Sequence, residues 1–126
     1  MKTRMSKTTI KSALSAQVLL LWLCGGLMAH AASQNIPMDA GKRVKAVIAK
    51  DSMNRFAVAN DRIVQVFGDE QSYMAETEST IGQIFLKPTL ENGDKPLSLT
   101  VITENGIVQD MTLVPTERDA ATIILT

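Results

Sequence analysis

The chain has 126 residues, of which 45% are hydrophobic, 4% aromatic and 21% charged, and its formal net charge is zero. A chain of this length supports one domain. The single cysteine, Cys24, excludes an intramolecular disulfide and a structural zinc site, and the single histidine, His30, leaves little material for a His-based catalytic triad.

The amino-terminal residues have the pattern of a secretory signal peptide. Four basic residues lie within the first eleven positions, residues 13–28 are mainly apolar, and small residues follow in Ala29-His30-Ala31-Ala32. A positive region, an apolar region and an Ala-x-Ala site are the parts that export and cleavage require. We therefore predict a cleavable signal peptide over residues 1–31, cut after Ala31, with Ala29, Ala31 and Ala32 at the cleavage site. Export then places the mature chain in the periplasm.

A retained membrane anchor is the competing interpretation of this segment. Sixteen helical residues (13–28) span roughly 24 Å at about 1.5 Å each, which is short of a hydrocarbon core about 30 Å thick. Gly25 and Gly26 also weaken a helix just before the predicted cut. A lipoprotein is disfavoured because Leu23, which precedes Cys24, is bulkier than the residue usual at that position.

The mature chain, Ala32 to Thr126, has 95 residues without cysteine or histidine. Its nine basic and thirteen acidic residues give a net charge of −4. Because nonspecific nucleic-acid binding needs a basic stripe, we expect no direct nucleic-acid binding. We also expect no cofactor and no resident metal, and we expect that the protein is not an enzyme.

The mature chain is predicted to be rich in strands. Residues 32–42 contain Pro37 and Gly41 and are predicted to form a flexible lead-in. A polar stretch with Tyr73 and Met74 interrupts a series of short β-type runs, and strands are predicted over 43–50, 54–59, 62–67, 82–87, 96–103, 107–114 and 120–125. Short strands at even spacing favour an all-β fold, here a small antiparallel β-sandwich. The run 62–67 has apolar residues at odd and even positions, so we expect that strand to be covered on both faces.

One hairpin is predicted in detail. Residues 97–103 and 107–113 flank Glu104-Asn105-Gly106, which permits a two-residue or a three-residue loop. The two-residue loop sets Leu99 opposite Thr112 and Val101 opposite Asp110. The three-residue loop, with Gly106 at positive φ, places apolar residues opposite each other, and we prefer it. Its register pairs Leu97 with Leu113, Leu99 with Met111, and Ile102 with Val108.

Arg55, Asp61 and Arg62 are the candidate site residues. The two arginines bracket a segment in which Asn60-Asp61 is predicted to form a tight turn. In a structural role, Asp61 accepts hydrogen bonds from backbone amides of the turn, and Arg55 pairs with a neighbouring acid. Contact with a partner protein is the alternative role.

Two carboxylate pairs, Asp69 with Glu70 and Glu76 with Glu78, are also present. We interpret them as a solvated turn and a solvated strand face. A weak calcium site at Glu76 and Glu78 and a hydrolase that uses two carboxylates are the competing interpretations.

Several segments, taken in order, carry a resemblance to a known family. They are Asn54-Arg55-Phe56-Ala57-Val58 with Asp61-Arg62-Ile63-Val64-Gln65-Val66, then Gly82-Gln83-Ile84-Phe85-Leu86-Lys87-Pro88 and Lys95-Pro96-Leu97-Ser98-Leu99, and finally Val101-Ile102-Thr103-Glu104-Asn105-Gly106 with Leu113-Val114-Pro115. Over residues 43–126 this combination resembles the amino-terminal β domain of the TraK family of F-type conjugation proteins. That family belongs with the CagX-like subunits of type IV secretion outer-membrane core complexes.

The resemblance implies a structural subunit that assembles a periplasmic ring for conjugative DNA transfer. It implies TraB-like and TraV-like core-complex subunits as partners, a homo-oligomeric ring, association with the outer membrane through these partners, and no catalytic residues. The family also has a second β domain, which we expect to be missing or separately encoded because the sequence ends at Thr126. The alternative function is a stand-alone periplasmic β-sandwich that binds a carbohydrate, a peptide or a secreted subunit.

Overall fold

The computed structural model describes residues 33–126, which form two β-sheets. The strands are β1 (Gln34–Ile36), β2 (Val44–Ala49), β3 (Asn54–Val58), β4 (Ile63–Gly68), β5 (Tyr73–Glu78), β6 (Gln83–Pro88), β7 (Leu97–Thr103), β8 (Val108–Thr116) and β9 (Thr122–Leu125). This part of the chain contains no helix, and hence none that is long and apolar enough to cross a membrane. The predicted signal peptide, with Ala29, Ala31 and Ala32, lies outside the described residues.

The two sheets pack face to face around one core. The five-stranded sheet has the order β1-β9-β3-β6-β5, and the four-stranded sheet has the order β2-β8-β7-β4. Alternate residues of most strands are buried, as in β6 and β7, because successive side chains point to opposite faces of a strand. Fully buried side chains from both sheets form the core, among them Ile48, Phe56, Leu86, Leu99 and Met111.

The prediction of an all-β fold is confirmed, but the prediction of an antiparallel sandwich is wrong in its pairing. Both sheets are mixed, because β1 and β3 each pair with β9 in parallel and β2 pairs with β8 in parallel. The remaining pairs are antiparallel. Alternation along a strand reports which face is buried and carries no information on the direction of a distant partner strand.

Two segments expected to lack strands contain them. The polar stretch around Tyr73 forms β5, and the lead-in contains β1. The lead-in is also held by side-chain bonds, since the buried Gln109 accepts from Asp39 N at 2.7 Å and donates to Lys42 O at 2.8 Å. The expectation that residues 32–42 form a flexible segment is therefore wrong for its described part.

The hairpin of β7 and β8 has the predicted three-residue loop. The observed register pairs Leu97 with Leu113 and Ile102 with Val108. Gly106 has φ +89°, and Thr103 N donates to Ile107 O at 3.0 Å to close the loop. The preferred register is thus confirmed in each of its pairs.

Strand direction separates two ends of the sandwich. The turn end carries the connections 37–43, 59–62, 79–82 and 104–106, and the loop end carries the connections 50–53, 69–72, 89–96 and 117–121. The chain enters β1 at the loop end and leaves β9 at the turn end, where Thr126 N donates to Ile36 O at 2.9 Å.

Candidate partner-binding edge

A sandwich has two sides at which the outermost strands expose their edges, and one of these sides is sealed. β1 and β2 lie there, and the side chain of Gln34 bridges them. Its amide nitrogen donates to Val47 O at 2.7 Å, and its oxygen accepts from Val47 N at 3.2 Å. Gln34 thereby satisfies both backbone groups of Val47, as an added strand would, and blocks that edge.

The other side, formed by β4 and β5, is the open side. β5 is the outermost strand of its sheet and pairs only with β6 among the described strands. Thr89 N donates to Ser72 O at 3.0 Å, one residue beyond the pairing of Tyr73 with Pro88. Because the bonded positions of an antiparallel pair alternate, the backbone groups of Met74, Glu76 and Glu78 face β6. The backbone N–H and C=O groups of Tyr73, Ala75 and Thr77 therefore point outward.

β4 presents its own free edge across from β5. Because Thr103 N donates to Ile107 O, the backbone groups of the odd-numbered residues of β7 point toward β8. The backbone groups of Thr100 and Ile102 therefore point toward β4. The residue between their partners on β4, Val66, then directs its backbone groups outward. A bulge between Ile63 and Gln65 interrupts the register of β4, whereas the pairing of β5 is continuous over six residues. β5 is thus the straighter of the two free edges.

A cavity of about 290 Å³ lies between the two edges. Its lining consists of Val66 on β4, Tyr73, Ala75 and Thr77 on β5, and Glu70 in the connection between them. These β5 residues are the same three whose backbone groups point outward. At the turn end, Ile63 N donates to Gly82 O at 2.9 Å and joins β4 to the turn that follows β5.

The aromatic ring of Tyr73 is held in place by Gly68. A β-carbon at Gly68 would lie 2.8 Å from Tyr73 Cε1 and 2.9 Å from Ser98 O, so only glycine leaves room for the ring and this backbone. Tyr73 is buried, and the pKa of its phenol is raised by that burial and by the charges of Glu70 and Asp69. The ring therefore stays neutral at physiological pH and forms an apolar part of the cavity wall.

Large apolar side chains border the open side. Val64 and Phe67 of β4 are 52% and 51% exposed, Met74 of β5 is 55% exposed, and Ile81 in the following turn is 48% exposed. The expectation that the strand at 62–67 is covered on both faces is wrong, because Val64, Gln65 and Phe67 of β4 are exposed. Phe67 pairs with Thr100 and lies on the outer face of the four-stranded sheet, and Met74 pairs with Lys87 and lies on the outer face of the five-stranded sheet. Exposed apolar residues on both edge strands are typical of a surface that contacts another chain.

The same side is acidic. The sequence from residue 63 to residue 86 contains no lysine or arginine, and it contains four carboxylates: Asp69, Glu70, Glu76 and Glu78. Glu70, Glu76 and Glu78 are exposed on the connection and on β5. Among the described residues no group of three or more His, Cys, Asp or Glu side chains is arranged to hold a metal ion. The carboxylates thus charge the edge negatively, and the structure does not group them as metal ligands.

The predicted turn residue Asp61 lies at the turn end beside the open side. Its Oδ1 accepts from Arg62 N at 2.7 Å and from Asn105 N at 3.3 Å. Burial raises the pKa of this carboxyl, but the Thr103 hydroxyl and the two backbone amides outweigh it, so the pKa lies below its usual value. Asn60 has φ +59°, which fits the predicted tight turn.

Arg62 connects the three turns of this end. Its guanidinium donates to Ser79 O and pairs with Glu104 at 3.4 Å. Arg55, in contrast, lies on the outer face of β3 and donates to the neutral side chain of Gln83 at 3.1 Å, not to an acid as expected. The structure thus brings Asp61 and Arg62 together and leaves Arg55 apart from them.

A second cavity, of about 370 Å³, lies at the loop end. Lys50, Lys87, Met74 and Leu90 are among its lining residues, and Leu90 is 96% exposed. Lys50 pairs with Glu117 at 3.0 Å; this hydrogen bond and charge raise the pKa of its ammonium group. No local sequence pattern indicates this cavity, because its residues come from three separate segments of the chain: 50–51, Met74 and 87–90.

These features define a small two-sheet β-protein with one sealed side and one open, acidic and partly apolar side. Residues 37–126 match the family of the TraK N-terminal domain, and the chain belongs to that family. It is accordingly a protein of conjugative transfer. A comparison with curated proteins found no match.

Proposed function

We propose that the protein is a structural subunit of a type IV secretion outer-membrane core complex and that it helps to assemble a periplasmic ring for conjugative DNA transfer. Its proposed partners are TraB-like and TraV-like subunits and further copies of itself. In this proposal the signal peptide is removed on export, and the domain reaches the outer membrane through its partners. The chain contributes contact surface and no catalysis.

The observation that carries the proposal is the open side of a domain that belongs to a conjugative-transfer family. A monomer that works alone usually covers a free edge or interrupts it with bulges and charges. On the open side β4 has a bulge and β5 carries Glu76 and Glu78, but no described strand covers β5 and its pairing is continuous. Here Gln34 protects the edge on one side, while β5 keeps three residues with outward backbone groups beside exposed Phe67 and Met74. An edge of this kind supports a role in a larger assembly.

The experiment is purification of the tagged, full-length chain from the envelope of cells that carry the transfer system. We expect it to be recovered in a large particle together with TraB-like and TraV-like subunits. The variant Phe67→Ser/Met74→Ser should lose these partners, since it removes two exposed apolar contacts from the open side. Val108→Ser is the matched control, because Val108 is 47% exposed but lies on β8, away from that side. Recovery of the wild-type chain as a soluble monomer would contradict the proposal.

The alternative, a stand-alone periplasmic binder, is favoured by one observation. The cavity at the loop end is lined by Met74, Pro88 and Leu90 beside Lys87, Asp51 and Lys50, the last of which pairs with Glu117, and this lining suits a ligand with an apolar part and a charged group. In that case the chain would be recovered as a soluble monomer, and Leu90→Ser would weaken its binding of such a ligand. The ring subunit is instead expected in the envelope particle, which Leu90→Ser should leave unchanged.

A further inference from the structure

We propose that β5 binds an extended segment of another protein as an added β-strand and that this segment alternates apolar residues with lysine or arginine. The inference rests on the proposed function, because it names the kind of partner that the open side takes. An added strand gains affinity from main-chain hydrogen bonds and specificity from alternate side chains.

Main-chain geometry supports the added strand. Tyr73, Ala75 and Thr77 offer three N–H and three C=O groups to the free edge, and no described strand uses them. Ala75 and Thr77 are small and exposed even though their side chains point to the same face as buried Leu86 and Ile84. The inner side of this edge is therefore uncovered, and the cavity of about 290 Å³ gives room for the inward side chains of a new strand.

The sequence of the occupant follows from the lining of the edge. Tyr73 and Val66 form an apolar wall on the inner side, so apolar side chains fit the positions that point into the cavity. On the outer side, Glu76 and Glu78 stand on β5, whereas Glu70 lines the cavity at its loop end. Because cross-strand pairs of opposite charge are favourable, lysine or arginine fits the positions that point outward.

A second copy of this chain fits the edge less well. Two open sides that face each other would bring the same carboxylates together, which is unfavourable. The sealed side does carry basic residues near β2, namely Lys42, Arg43 and Lys45, but Gln34 already occupies the backbone groups of Val47 there. The observations therefore favour a segment from a different polypeptide.

The first test is a titration of the full-length mature protein with a synthetic peptide, followed by amide-resolved NMR. The probe is an acetylated peptide of alternating valine and lysine, about as long as the six residues of β5. We expect saturable shifts at Tyr73, Ala75, Thr77 and Val66, and weaker binding at high salt. A peptide of alternating valine and glutamate should cause no such shifts.

Two variants separate backbone pairing from general attraction. Ala75→Pro removes one outward N–H and none of the bonds to β6, and proline is tolerated at a free edge. It should weaken peptide binding by about tenfold, whereas Ala75→Val, which keeps the N–H, should bind within about twofold of wild type. Methylation of the backbone nitrogens of the peptide should also abolish binding to the wild-type protein, so the test survives even if Ala75→Pro does not fold.

Several outcomes would overturn the inference. They are the absence of binding by the valine–lysine peptide, equal binding by Ala75→Pro, shifts confined to the sealed side, and self-association of the chain through β5. In cells, a core complex that assembles equally well with Ala75→Pro would overturn the added strand and leave the proposed function standing. Peptide binding at β5, together with recovery of the chain from the envelope as a monomer, would support the added strand and overturn the proposed function.

Discussion

The buried side chain of Asn54 gives the sharpest prediction about stability. It is fully buried at the start of β3 and makes five hydrogen bonds to backbone groups. Its oxygen accepts from Ala49 N and Ala121 N, both at 2.9 Å. Its nitrogen donates to Ala49 O, Ser52 O and Leu86 O at 2.9, 3.1 and 3.2 Å. One amide thus joins three strands and two connections at the loop end.

The substitution Asn54→Leu keeps the number of side-chain heavy atoms and the branching at Cγ, and it removes all five bonds. It leaves the two amides of Ala49 and Ala121 buried without a partner, and each unsatisfied group costs about 1–3 kcal/mol. We therefore expect the free energy of unfolding to fall by about 3–5 kcal/mol. That loss is a large fraction of the roughly 5–15 kcal/mol that stabilises a typical domain.

The assay is urea unfolding of the mature chain, followed by circular dichroism. Asn35→Leu is the matched control, because Asn35 is exposed on β1 and its substitution should change stability by less than about 0.5 kcal/mol. The variant Asn54→Asp keeps the two acceptor bonds but turns a carboxylate toward three carbonyl oxygens. Its pKa should rise above the unfolded value, so the penalty that comes from its charge should be absent below about pH 4 and should grow as the pH rises. A loss below about 1 kcal/mol for Asn54→Leu would refute this account of the loop end.

Three further predictions concern the turn end and the sealed side. Gly82→Ala should destabilise the fold by about 2–4 kcal/mol in urea, because Gly82 has φ +67° and its added β-carbon would lie 2.6 Å from Arg62 Cβ; an unchanged midpoint would count against this. Gln34→Leu should lower the free energy of unfolding by about 1–2 kcal/mol and speed hydrogen exchange at the Val47 amide. Unchanged protection of this amide would contradict the prediction. The pKa of Asp61 is lowered, so its stabilisation is present above about pH 4 and disappears as the pH falls through the lowered value. Asp61→Asn should therefore reduce the loss of stability that acid causes, and an unchanged loss in this variant would contradict the role given to Asp61.

The local part of the fold could be read from the sequence. The pattern of Leu97, Leu99 and Met111 with a glycine at position 106 determines both the loop length and the register of the β7–β8 hairpin. Asn60 and Asp61 likewise identify the tight turn, since asparagine tolerates positive φ and aspartate bonds nearby amides. These features depend on residues that are close in sequence.

The edges and the distant pairings could not be read in this way. β5 lacks the apolar alternation of a half-buried strand because only Tyr73 on its inner face is covered. β4 looks like a central strand because Val64 and Phe67 are apolar, yet both are exposed at the open side. The parallel pairing of β2 with β8 joins residues far apart in the chain, which no local pattern reports. The candidate site was missed for the same reason, since it consists of two unpaired edges.

Amide-resolved hydrogen exchange of the protein alone and within the purified envelope complex tests the central claim most directly. The account predicts fast exchange at Tyr73, Ala75 and Thr77 in the isolated chain and slow exchange at all three in the complex. The amide of Val47 should exchange at the same slow rate in both samples, because Gln34 already accepts its hydrogen bond. Equally fast exchange of the three β5 amides in both samples would contradict the claim that the open side is the assembly surface.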